Sequence, residues 1–193
     1  CLYMLIFMFL VIFHLQIWTR QEMERGIESW LSNQGKDYEG PFLLEHVYSV
    51  GTFNTWMRDS GLHGIFGDVR NHTDGAEIRM GNTNVLVGDV LLRQHQGTDY
   101  TERTEWLLHS EWGSASLATT GYELDFERAA RESISYLFNS SSAWINDQTK
   151  DLEVVFVTYN NQAEMYALSQ IRIPLDSYGY VKPIVKAKAV LTK

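Results

Sequence analysis

Trp144 to Pro174 reads WINDQTKDLEVVFVTYNNQAEMYALSQIRIP. Leu152, Val154 and Phe156 fall on one side of a pleated strand, and Glu153, Val155, Val157 and Tyr159 fall on the other. Asn160-Asn161-Gln162-Ala163 is a short run of residues that tolerate tight turns. Met165, Ala167, Ile171 and Ile173 then repeat the period of two, and Pro174 closes the run. The pattern predicts a central antiparallel hairpin, apolar on at least one face, with helices packed against it.

Working outward, residues 126–138 carry Phe126, Ala130, Ile134, Leu137 and Phe138 as one helical stripe, with Asp125 placed to cap its start. Residues 52–66 predict a second helix, with Phe53, Trp56 and Met57 on its apolar side, then Leu62, Ile65 and Phe66. Gly61, Gly64 and Gly67 weaken its end. Without a preceding strand they do not form a dinucleotide fingerprint. Residues 85–95 predict a strand, bulged at Gly88. The expected class is therefore α+β: an antiparallel sheet with helices 52–66 and 126–138 on one face.

Residues 1–13, CLYMLIFMFLVIF, contain no charged side chain, and Leu15, Ile17 and Trp18 extend the apolar run. This length approaches the roughly 20 residues that span a bilayer, and Trp18 and Tyr3 suit its interfaces. No small-residue cleavage site follows Trp18. From Thr19, Met23, Ile27, Trp30 and Leu31 recur at helical spacing. The membrane helix is thus expected to continue outward as a soluble one until Asn33-Gln34-Gly35. The expected division is a membrane helix over 1–18, a domain over 19–180 and a basic tail over 181–193. The chain opens at Cys1 inside an apolar run, as a piece of a longer protein would.

With 193 residues and 13% aromatics, the chain can bury a sizeable core, which argues against disorder. The formal net charge is -8, and the tail holds Lys182, Lys186, Lys188 and Lys193 without acids. The remainder is thus more acidic still, which disfavours nucleic acid as a partner and suits attraction of cations. A single cysteine excludes an intrachain disulfide. Asn71-His72-Thr73 and Asn139-Ser140-Ser141 are sequons, so Asn71 and Asn139 are candidate glycosylation sites on an extracytoplasmic face. There is no GxSxG, HExxH, P-loop or CxxC motif, and the histidines form no helical i, i+4 pair. The reading is not an enzyme and needs no cofactor. A calcium site built from loop carboxylates is the metal site left open.

Three segments carry a resemblance. They are Val90-Leu91-Leu92-Arg93-Gln94; Trp112-Gly113 followed by Thr119-Thr120-Gly121-Tyr122-Glu123-Leu124-Asp125; and Trp144-Ile145, Asp147, Thr149 with the run through Tyr159-Asn160 to Pro174. In this order they resemble the polycystin domain, the extracellular domain between the first two membrane helices of polycystin-type TRP channels. The likeness covers about residues 45–185. The loop Gly97 to Arg103 is short and lacks the cysteine pair that animal members usually carry there.

The resemblance implies an integral protein of the plasma or ciliary membrane, with residues 19–193 mostly extracellular. It implies four such domains, as homo- or heterotetramer, in a ring above a non-selective or calcium-permeable cation pore. There they would serve assembly, gating and attachment of an extracellular ciliary protein or filament. It further implies that excursion 90–112 meets the neighbouring subunit, with Val90, Leu91, Leu92, Arg93, Gln94 and Trp112 as interface candidates. The tail would lead into a second membrane helix. The alternative is a membrane-anchored extracellular binding or adhesion module that is not a channel.

Overall fold

The computed structural model describes residues 2–33, 43–66, 79–80, 83–96, 102–108, 114–117, 122–125, 145, 148–175 and 181–191. In chain order these form helix α1 (Leu2–Asn33), α2 (Val50–Trp56), a π-helical turn (Met57–Gly61) and α3 (Leu62–Phe66). The strands are β1 (Arg79–Met80), β2 (Asn84–Gln96), β3 (Glu102–Leu108), β4 (Ser114–Leu117), β5 (Tyr122–Asp125), β6 (Thr149–Asn160), β7 (Met165–Pro174) and β8 (Ile184–Leu191). The strands pair antiparallel in the order β5-β4-β3-β2-β6-β7-β8, and β1 pairs with the start of β2. The chain is α+β. The expected helix over 126–138 lies outside the described residues, and Asp125 is the last residue of β5.

The β6–β7 hairpin has the alternation its sequence demands. Leu152, Val154, Phe156 and Thr158 point into the core, as do Met165, Ala167, Ser169, Ile171 and Ile173. Asn160 closes the turn itself: its Oδ1 accepts from the backbone N–H groups of Gln162 and Ala163, both at 2.9 Å.

The bulge in β2 is larger than one residue. Val87 pairs with Val157 and Leu91 with Val155, so β2 spends four residues where β6 spends two. An insertion of one would send every later side chain to the other face, whereas an insertion of two preserves the faces. Leu86, Val90, Leu92 and Gln94 consequently all face inward. Gly88 supplies the turn at φ 73°, and a Cβ there would meet no other atom. Gly88→Ala should therefore act through backbone conformation alone. It should cost roughly 1–2 kcal/mol in denaturant melts, with Gly88→Asn milder because asparagine tolerates this region. Equal losses for both would point to some other role of the glycine.

Helix α2 starts two residues before the expected 52 because Ser49 and Thr52 form a capping box. Ser49 Oγ accepts from the Thr52 N–H at 3.2 Å, and Thr52 Oγ1 accepts from the Ser49 N–H at 2.9 Å. The π-helical turn then absorbs one residue. In a regular helix Leu62, Ile65 and Phe66 would lie roughly opposite the stripe of Phe53, Trp56 and Met57, and one absorbed residue turns them back by about 100°. With the turn, all six residues are buried in one core.

That core lies on one face of the sheet, under the second half of α1 and under α2–α3. Met23, Ile27 and Leu31 of α1 enter it, and Trp30 Nε1 donates to the Gly64 carbonyl at 3.0 Å. The basic tail, expected as a lead-in to a second membrane helix, is part of the sheet: Ile184–Leu191 pairs with β7 from Arg172↔Ile184 to Met165↔Leu191. Its inward residues are Val185, Ala187 and Ala189, and its lysines point outward, so a period of two underlies the basic composition.

Candidate functional site

Helix α1 is unbroken from Leu2 to Asn33 but has two environments. Its first half is solvent-exposed apolar surface, with Phe9 77% exposed. It is long and apolar enough to cross a membrane. Its second half is built into the domain. The junction between the halves falls between the exposed Trp18 and the buried Met23.

The junction rests on two carboxylates. Glu24 Oε1 accepts from the Ala189 N–H at 2.9 Å, and Glu28 Oε1 accepts from the Ala187 N–H at 3.0 Å. The spacing fits because four helical residues rise about 6 Å and two strand residues about 6.8 Å. Two N–H groups on the open side of edge strand β8 thus find acceptors on a helix in place of another strand. Ala167 pairs with Ala189 and Ser169 with Ala187, so small side chains line the inner face where α1 comes close. Arg20 Nε donates to Glu24 Oε1 at 3.0 Å, which orients that carboxylate from one turn below.

The same two bonds fix direction. Residue numbers rise along α1 from Glu24 to Glu28 while they fall along β8 from Ala189 to Ala187. Strand β8 therefore runs back toward the apolar half of α1. Beside the junction opens a cleft of about 590 Å³ between α1, residues 44–48 and residues 181–185. Arg25 and Lys182 set positive charge on its wall, Glu28 and Glu45 negative charge, and Ser29, Ser32 and Tyr48 hydroxyls. Such a lining suits a small polar or zwitterionic group.

On the opposite face of the sheet, charges are paired across strands. Arg93 Nη1 donates to Glu153 Oε2 at 2.6 Å, and Gln170 Nε2 donates to Glu153 Oε1 at 2.9 Å. Arg172 Nε donates to Asp151 Oδ2 at 2.7 Å. Asp151 is only 2% exposed, and its Oδ1 has no hydrogen-bond partner among the described residues. Burial pushes the Asp151 carboxyl above its ordinary range, and the Arg172 guanidinium offsets only part of this. An acid whose pKa is higher folded than unfolded holds more protons in the native state, so its contribution falls as pH rises through that interval. Asp151→Asn removes this slope. The melting temperature of the variant relative to the parent should increase from the ordinary carboxylate range up through the raised value. A constant difference across pH would show that Asp151 titrates normally.

The interface candidates divide by face. Val90, Leu92 and Gln94 are buried in the core, Gln94 donating to Thr149 Oγ1, so they offer no surface to a neighbour. This corrects the grouping of Val90–Gln94 as one contact strip: the alternation sends every second residue inward. Leu91 and Arg93 lie on the outer face, and Arg93 is engaged by Glu153. Trp112, Asn71 and Asn139 lie outside the described residues. Among the described residues no group of three or more His, Cys, Asp or Glu side chains is gathered as a metal site.

Glu24 and Glu28 were not singled out by the sequence reading. Their trace is an i, i+4 acidic pair on the polar side of an amphipathic helix, which reads equally as a solvated face. Compared with known proteins, the chain matches no family model and no curated sequence.

Proposed function

We propose that this chain is the extracellular domain of a polycystin-type cation channel subunit, with residues 1–18 as its first membrane helix. The observation that carries the proposal is the return of β8 along α1. Leu191 ends near the level of Arg20, just above Trp18, because Ala189 is bonded to Glu24. A chain continuing past Leu191 would meet the bilayer on the side where α1 leaves it, as a subunit with further membrane helices requires. The resemblance of the three sequence segments supplies the family, and the α+β class agrees with it.

On this reading α1 is a stiff link. A movement of the membrane helix reaches the sheet through Glu24, Glu28 and the buried Met23, Ile27 and Leu31 without passing through a loop. The neighbours in the assembly are other polycystin subunits, and calcium is a candidate permeant ion. A ring of acidic domains would enrich cations near the entrance, within a screening length of about 8 Å. The mixed-charge cleft favours the second reading, a membrane-anchored binding module.

The test is the oligomeric state of the full-length protein, extracted in detergent and imaged as single particles. The expected image is a four-fold ring of these domains above a membrane bundle. A monomer or dimer with one membrane helix per chain would overturn the channel and leave the anchored module.

A further inference from the structure

The outer face of the sheet is graded along the strands. Read across β2, β6, β7 and β8, its successive rows are Arg93–Glu153–Arg172–Ile184, Leu91–Val155–Gln170–Lys186, Val87–Val157–Leu168–Lys188 and Val85–Tyr159–Tyr166–Val190. The first row carries three charges, with Arg93 paired to Glu153 inside it and Arg172 paired to Asp151 beside it. The last has no charge, and Tyr166 and Val190 in it are 42% and 55% exposed. The Tyr159 and Tyr166 rings lie 4.8 Å apart, tilted by 43°.

The grading has a direction relative to α1. Glu24 stands about 9 Å above Trp18 along the helix, and Ala189 is bonded at that level. Val190 and Leu191 then descend by about 3.4 Å each, to roughly 6 and 2 Å above Trp18. A headgroup layer occupies roughly 5–8 Å beyond the hydrocarbon on each side of a bilayer. The apolar row therefore falls at headgroup depth if Trp18 marks the boundary, and Lys188, at roughly 12 Å, stands about 4 Å beyond that layer, a distance its long side chain spans. The ionic row stands farthest from the membrane.

We propose that this end of the outer face, formed by Tyr159, Tyr166 and Val190, rests in the headgroup layer of the bilayer that α1 crosses, with Lys188 on anionic headgroups at its edge. The proposal rests on the reading of α1 as a membrane helix. Tyrosine suits this depth because its ring is apolar and its hydroxyl is wet. Lysine above it can keep its ammonium among lipid phosphates and carboxylates. The exposed residues of β7 and β8 on this face include no acid, although the whole chain is acidic. A protein partner would have no reason to follow a gradient aligned with the anchor. The bilayer imposes one.

The experiment uses the full chain carrying Cys1→Ser, in nanodiscs of phosphatidylcholine with or without phosphatidylserine. Single spin labels are attached through Leu10→Cys, Tyr166→Cys or Ile184→Cys, all at exposed positions. Power saturation compares relaxation by oxygen, which partitions into lipid, with relaxation by an aqueous nickel chelate. Labels at 10 and 166 should favour oxygen, and the label at 184 should favour nickel. Adding Lys186→Glu and Lys188→Glu should lower the oxygen preference at 166, most in the discs with phosphatidylserine. Nickel access at 166 equal to that at 184, with position 10 still in lipid, would overturn this contact and spare the membrane reading. Nickel access at position 10 would overturn both. Shielding of 166 from both reagents, retained in detergent, would instead place a second copy of the chain on this face.

Discussion

Trp56→Ala should lower the stability of the domain by about 3–5 kcal/mol, the range for emptying a large aromatic site in a packed core. Trp56 is 0% exposed and stands where α2 passes into the π-helical turn. Its ring centroid is 6.3 Å from that of Phe53. The turn brings Gly61 onto the ring: a Cβ at Gly61 would lie 2.9 Å from Trp56 Cζ3 and 3.0 Å from Met57 Sδ. The site is thus filled to the limit of glycine. Gly61→Ala should itself cost about 1–3 kcal/mol by overpacking. Trp56→Phe should cost much less than alanine, because Trp56 Nε1 has no hydrogen-bond partner among the described residues and phenylalanine removes that buried donor. Combining Trp56→Phe with Gly61→Ala should then recover stability relative to the sum of the single changes, since the smaller ring leaves room for the methyl group. Denaturant melts of the four proteins measure this. Strict additivity would mean that Gly61 is required for its backbone and not for the close approach.

Much of the sheet was legible because the relevant signals were local. The hairpin has a period of two from Leu152 onward and an asparagine turn, and both strands formed where the alternation placed them. Gly88 marked its bulge correctly, although the sequence could not show that the insertion is two residues long. The π-helical turn was not legible. A stripe that slips by one residue looks like a weak helix end with three glycines, and only the burial of Leu62, Ile65 and Phe66 reveals the correction. Strand β8 was hidden by its composition. Two of its inward residues are alanines and its outer face also holds Ile184 and Val190, which blurs the alternation, and its lysines suggest a tail beside a membrane.

The candidate site was less legible for a different reason. Glu24 and Glu28 meet amides 165 and 159 residues away, and a backbone N–H has no sequence signature. Any acidic i, i+4 pair on an amphipathic helix would read the same. Arg93 reads as a candidate contact to a neighbouring subunit, yet it is paired with Glu153 across the β2–β6 ladder, a pairing that only the register reveals. Sequence periodicity reports which face a residue takes, while function here depends on which strand stands opposite.

Glu24→Ala with Glu28→Ala should release β8 from α1. A hydrogen bond to a charged acceptor contributes about 1.5–3 kcal/mol, so two independent ones place the expected loss near 3 kcal/mol or above. The larger share falls on Glu24, because Ala189 is 0% exposed and its N–H would be left buried without an acceptor. The direct readout is hydrogen exchange of the Ala187 and Ala189 amides in the full chain, where about 3 kcal/mol corresponds to more than 100-fold faster exchange. The pair Glu24→Gln and Glu28→Gln keeps an oxygen at each site but loses the charge, and should retain roughly half the protection. Protection near that of the parent in the alanine pair would mean that β7 pairing alone holds the edge strand. The stiff link between anchor and sheet would then rest on Met23, Ile27 and Leu31, and their truncation, not the loss of the carboxylates, would uncouple the membrane helix from the domain.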